Sequence, residues 1–115
     1  MKKGNQVKLK GIYPYSYRNG PTKYSYGTIL RHVTTKEVQE WRDSPASKGI
    51  NSAGELKLPP TCASVEADEV NDTFTVIRAR CAPILAYRKQ PKSAFIRNNR
   101  TGEEGYIQRA RLELI

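Results

Sequence analysis

The chain has 115 residues, of which 37% are apolar, and a formal charge of +9 from 20 Lys and Arg against 11 Asp and Glu. That length supports one domain with one modest core, and no apolar run approaches the roughly 20 residues of a membrane-spanning helix. A surplus of cations this large selects an acidic partner: nucleic acid, an acidic protein face or anionic lipid.

The opening MKKGNQVKLK is basic, but no apolar stretch follows it. It therefore does not read as a signal peptide, and an intracellular protein with two reduced cysteines is expected. Val7 and Leu9 alternate with Lys8 and Lys10, the period of a half-buried strand. Gly11 and Pro14 then predict a bend or bulge. Asn19, Gly20 and Pro21 predict a turn, and the chain returns as a second strand up to Val33.

This first hairpin carries five of the seven tyrosines: Tyr13, Tyr15, Tyr17, Tyr24 and Tyr26. Two readings are open. The odd-numbered rings continue the face that Val7 and Leu9 bury, so they could line a core. A bulge at Gly11 or Pro14 would instead turn them outward as a platform. Pairing Tyr17 with Tyr24 and Tyr15 with Tyr26 would collect all five rings on one side, and cross-strand aromatic pairs favour that register. The outer rings are then expected to be at least partly accessible.

Beyond it, Thr34 and Glu37 have the spacing of a capping box, with Val38 and Trp41 on one side of a short helix; a continued strand is the alternative. Residues 42–60, rich in Ser, Pro, Gly and Asn, read as a long, partly mobile surface loop. Residues 61–77 hold Glu66, Asp68, Glu69 and Asp72 and no Lys or Arg, one acidic patch on a basic molecule. With Asn71 and Asp72 as a two-residue turn, Val70 opposes Thr73 and Cys62 falls opposite Cys81. The acids are then a solvated hairpin tip. Pro83 and Pro91 break the chain that follows. NNRTGEEGYIQ reads as a turn entering a strand, and RARLELI closes the chain. Five or six short strands and at most one short helix predict an all-β domain, a small barrel or sandwich over residues 1–115.

Two stretches sharpen this. Gly4, Val7, Leu9, Gly27, Ile29 and Leu30 resemble the KOW-type opening of Src-homology-3-like barrels: a basic-Gly lead-in, a strand, then a Gly before an apolar strand. Gly105, Tyr106, Ile107 and Leu112 resemble the end of the same class, where a Gly-aromatic-aliphatic strand leads through a single helical turn into a last short strand. The resemblance implies one closed barrel with an extended first hairpin, of a class that serves in ribosomal and transcription proteins and as protein docking modules. Gln108 stands where proline-recognition modules usually have Pro, so proline-motif binding is not expected.

Catalysis finds little support. His32 is the only histidine, and no nucleophile, base and orienting group assemble around it. Cys62 and Cys81 lie 19 residues apart and form no Cys-x-x-Cys, so neither a structural metal nor a cofactor is expected. No phosphate-cradling Gly-rich loop precedes a helix. What remains is a basic, tyrosine-bearing surface. Phosphate needs cations, and single strands also gain from aromatic faces. Lys8, Lys10, Arg18, Lys23 and Arg31 lie beside Tyr15, Tyr17, Tyr24 and Tyr26. Arg78 with Arg80, and Arg109 with Arg111, have the i, i+2 spacing that projects from one side of a strand. Arg88, Lys89 and Lys92 add a basic loop. Non-catalytic binding of RNA or DNA leads. Docking to an acidic protein surface within a larger assembly is the alternative, and a plain structural subunit comes third. Membrane insertion is not expected.

Overall fold

The computed structural model describes residues 1–15, 20, 23–50, 53–84 and 91–115, with the backbone alone for Tyr13, Tyr15 and 23–25. The all-β class is what forms. The strands are β1 (Gln6–Leu9), β2 (Tyr13–Tyr15), β3 (Lys23–Ser25), β4 (Ile29–His32), β5 (Cys62–Val65), β6 (Thr73–Cys81), β7 (Ser93–Asn98), β8 (Glu104–Gln108) and β9 (Leu112–Leu114). Seven of them make one antiparallel sheet in the order β5-β4-β8-β7-β6-β1-β9, and β2 and β3 form a separate ribbon. No helix among the described residues is long and apolar enough to cross a membrane.

The expected barrel does not close. Between β1 and β6 the chain sends two strands, β4 and β5, to the edge of β8. That edge is therefore occupied, and the sheet stays open between β5 and β9 among the described residues. Contacts divide the chain into two units, one of Met1–Arg31 with Ser64–Ile115 and one of His32–Ala63.

In the first unit the period-2 pattern sets the core. Val7 and Leu9 are buried while Gln6 and Lys8 are exposed. Phe74, Val76, Ala94, Ile96, Ile107 and Leu112 join them, with Ile29 and Val65. Gly105 is where β8 meets this core most closely: a Cβ there would lie 2.6 Å from Ile29 Cγ2 and 2.9 Å from the Leu30 carbonyl oxygen. A glycine inside a strand marks such a close approach. Beyond β8, one 3-10 turn (Arg109–Arg111) leads into β9, which pairs with β1.

The predicted hairpin of residues 61–82 does not form. β5 lies beside β4, and β6 lies between β1 and β7, so Cys81 opposes Ser93 rather than Cys62. Both cysteines are free thiols. A carboxylate network replaces the two-residue turn. Asp68 Oδ1 accepts from the Val70 and Asn71 N–H groups, both at 3.1 Å, and this holds the Asp68 carboxyl below its usual range, the Asn71 side-chain hydrogen bond contributing most.

Asp72 is not part of a solvated tip but is buried. It is 5% exposed and binds Arg100 Nε at 2.7 Å, Arg100 Nη2 at 2.9 Å and Asn98 Nδ2 at 2.9 Å. The Asp68 N–H donates to it at 2.8 Å. Asn98, itself buried, turns its Oδ1 to the Arg100 N–H at 2.8 Å and so caps the β7–β8 turn. The Arg100 hydrogen bond, then Asn98, hold the Asp72 carboxyl well below the ordinary carboxylate value, against the opposing effect of burial. A folded-state value below the unfolded one gives stability that is complete above about pH 5 and is lost as pH falls through the folded value. Asp72→Asn is expected to cost about 2 kcal/mol at neutral pH, and to flatten the loss of urea midpoint below about pH 4. An acid limb as steep as that of the parent would contradict it.

The second unit carries the helix α1 (Thr35–Asp43). The capping box is complete: the Glu37 N–H donates to Thr34 Oγ1 at 3.2 Å and the Thr34 N–H to Glu37 Oε1 at 3.1 Å. Val38 and Trp41 are half-buried. Within the span expected as a loop lie a 3-10 turn over Pro45–Lys48 and a bridge between Ile50 and Leu56.

Candidate nucleic-acid interface

The face of the sheet opposite the core carries one row of side chains drawn from four strands. In register, Arg78 of β6 opposes Phe95 of β7, Phe95 opposes Tyr106 of β8, and Tyr106 opposes Leu30 of β4. Ala94 and Ile96 fill the core, so alternation turns Phe95 outward. Gly105 and Ile107 do the same for Tyr106.

Arg78 reaches this row through a bulge. Val76 pairs with Ile96 and Arg78 with Phe95, leaving Ile77 as the extra residue. The bulge reverses the alternation of β6, which had Phe74 and Val76 inward, and sends Arg78 out. Its guanidinium lies 4.8 Å from the centre of the Phe95 ring and 5.7 Å from that of Tyr106. Its Nη2 donates to the Tyr106 hydroxyl at 3.0 Å. The two rings sit 4.7 Å apart at 39°. Such a cation on aromatic faces is attracted by the ring quadrupole, by about 0.5–1 kcal/mol at an exposed site. The result is a fixed positive charge beside two half-buried, outward rings.

The other predicted cations divide. Arg80 is exposed, as is Arg78, on either side of Ala79, which packs against the core. Arg109 and Arg111 are not an i, i+2 strand pair. They sit in a 3-10 turn, whose three residues per turn put them on different sides. Arg109 Nε is buried without a hydrogen-bond partner among the described residues. Arg31 is half-buried on β4. Lys8 and Lys10 are exposed, but Lys8 forms an ion pair with Glu113 at 3.4 Å, and the concavity beside both lysines also holds Glu69. The structure thus does not bring them to the Arg78 row.

Tyr17 and Arg18 lie outside the described residues, as do Arg88 and Lys89, and Tyr15, Lys23 and Tyr24 are described by backbone alone. The ribbon's backbone nevertheless corrects the expected register. Tyr13 pairs with Ser25, Pro14 with Tyr24 and Tyr15 with Lys23. The pairing is shifted by three positions from the one that sets Tyr15 against Tyr26. An odd shift divides tyrosine positions between the two sides of a ribbon. Tyr26 is half-buried against the core.

Reading the sequence for tyrosines missed Phe95, and placed Tyr106 only as a fold marker. Alternation in SAFIRN carries the signal: with Ala94 and Ile96 inward, Phe95 and Arg97 must face out. Among the described residues no group of three His, Cys, Asp or Glu side chains is placed to hold a metal ion. Burial pushes the Cys81 thiol up, against the pull of Arg78 and Arg109, which disfavours the nucleophilic thiolate. No protein-family model, curated protein or solved structure matches this chain.

Proposed function

We propose that this protein is a non-catalytic module that binds single-stranded RNA or DNA on the outward face of β6, β7 and β8. The observation that carries this reading is the Arg78–Phe95–Tyr106 cluster, on a chain of net charge +9. Phosphate is met by the guanidinium and unstacked bases by the rings, the two elements that single-strand binding combines. The Src-homology-3-like kinship belongs to the same reading. The close of the chain, β8, one 3-10 turn and β9, supports it.

The test is a low-salt titration with a short single-stranded oligonucleotide and its duplex. Phe95→Ala should weaken single-strand binding about tenfold, per folded molecule, and leave duplex binding nearly unchanged. Absence of polynucleotide binding at low salt would overturn the proposal.

A second reading, docking to a protein, has its own observation in the unit of residues 32–63. Ile50, Leu56 and Leu58 are there 64%, 68% and 86% exposed, and exposed apolar side chains mark interaction surfaces when they cluster. An acidic partner that binds the chain and is released by Leu58→Glu, with no polynucleotide affinity, would promote this reading.

A further inference from the structure

Tyr106 has a second neighbourhood. Beside the Arg78–Phe95–Tyr106 row, across β4, β8 and the start of β7, lies a groove of about 410 Å³ whose described walls include Thr28, Leu30, Pro83, Tyr106, Gln108 and Arg111. Its volume is that of a small-ligand site, and far too small for a duplex. Its walls are of three kinds. Tyr106, Leu30 and Pro83 offer flat apolar contact. Gln108 carries an amide with both donor and acceptor atoms. Arg111 supplies a guanidinium, the side chain suited to phosphate.

Arg111 is set there by a glycine. Gly27 has φ +83°, and a Cβ at this position would overlap Arg111 Cδ and stand 2.7 Å from its Nε. The arginine stem therefore lies across bare backbone. Gly27 meets both demands at once, the left-handed φ and the close approach.

We infer that this groove takes one unpaired nucleotide of a bound single strand. The base packs on Tyr106 and Leu30 with its edge to Gln108, and the adjoining phosphate meets Arg111. The inference rests on the single-strand reading above and adds to it a place for a base. The groove and the stacking row share Tyr106, so a strand crossing Phe95 delivers its next base to the groove.

The experiment compares a short oligothymidylate with an abasic oligomer of equal length, which keeps the phosphates and removes the bases. The parent protein should bind the thymidylate about a hundredfold more tightly, about tenfold for the base stacked on Phe95 and about tenfold for the base in the groove. A double variant, Thr28→Leu with Gln108→Leu, fills the groove and removes the amide without changing charge. Both residues are exposed, so an unchanged unfolding midpoint is expected. The variant should lose about tenfold of the thymidylate preference and keep the part that Phe95 supplies, while its affinity for the abasic oligomer and its salt dependence stay as in the parent. Gly27→Ala, which displaces Arg111, should weaken both oligomers by a similar factor. Retention of the full preference by the double variant would overturn the groove while leaving the function standing. Equal parental affinity for both oligomers would overturn the stacking function together with the groove, because no base is then taken up at either place. Binding of neither oligomer at low salt would remove the function, and the groove with it.

Discussion

Affinity for single-stranded nucleic acid is expected to fall about a hundredfold between about 50 and about 200 mM salt. The size follows from counterion release. A single strand contributes a slope of about −0.7 for each phosphate neutralised, and about five contacts give about −3.5 in log affinity against log salt. A fourfold rise in salt then removes about two orders of magnitude. Which cations carry the slope is the sharper question. Arg78 is held on two rings and faces solvent, so Arg78→Gln should flatten the slope by about 0.7. Lys8 already pairs with Glu113, and part of its charge is spent within the protein. Lys8→Gln should therefore flatten the slope by less than Arg78→Gln does. The reverse order, measured by titration at four or more salt concentrations, would move the interface from β6–β8 to β1.

The sequence was most readable where a few adjacent residues settle the structure. Val7 and Leu9 against Gln6 and Lys8 specify a strand with one buried face, and that is β1. The capping box of Thr34 and Glu37 spans four residues, and both of its hydrogen bonds form. Readability ended where the partner lies far along the chain. Residues 61–82 look like a local hairpin because two β-forming runs flank Asn71 and Asp72. Asp72 instead answers to Asn98 and Arg100, and these take the carboxylate out of solvent. Nothing within ten residues of Asp72 announces that.

The Arg78–Phe95–Tyr106 row failed to show itself for the same reason. Arg78, Phe95 and Tyr106 come from three strands, and only the ladder brings them into one row. The bulge at Ile77 has no glycine or proline to mark it. Without it Arg78 would have the parity of Phe74 and Val76, and an arginine would face the core. The cost of burying that charge gives a reason for the bulge that becomes clear only once the pairing is known. Arg109 and Arg111 failed differently. Their spacing suits a strand, but the chain must turn before β9 can reach β1, and the turn is made there.

Phe74→Ala is expected to lower stability by about 3–5 kcal/mol, the largest loss at any single site considered. Phe74 is fully buried and, among the described residues, is the one aromatic side chain of the buried core cluster, with Tyr26 packed against it. Removing its ring leaves a cavity, and the cost depends on how far the surroundings can collapse into it. Here they are restrained. Phe74 opposes Val7 on one side and Asn98 on the other, so β6 is hydrogen-bonded along both edges and its backbone cannot shift inward alone. Asn98 is tied further to Asp72. Domains of this size commonly hold about 0.05–0.15 kcal/mol per residue, so the variant should stay folded at 25 °C while losing a large part of its stability, read as a much lower urea midpoint. Leu114→Ala supplies the contrast. Leu114 is 57% exposed on β9 at the sheet edge, and its loss should stay within about 0.5 kcal/mol. Urea midpoints of the two variants measure the difference directly. A Phe74→Ala midpoint close to that of Leu114→Ala would mean that the packing around β6 is not what holds the sheet together.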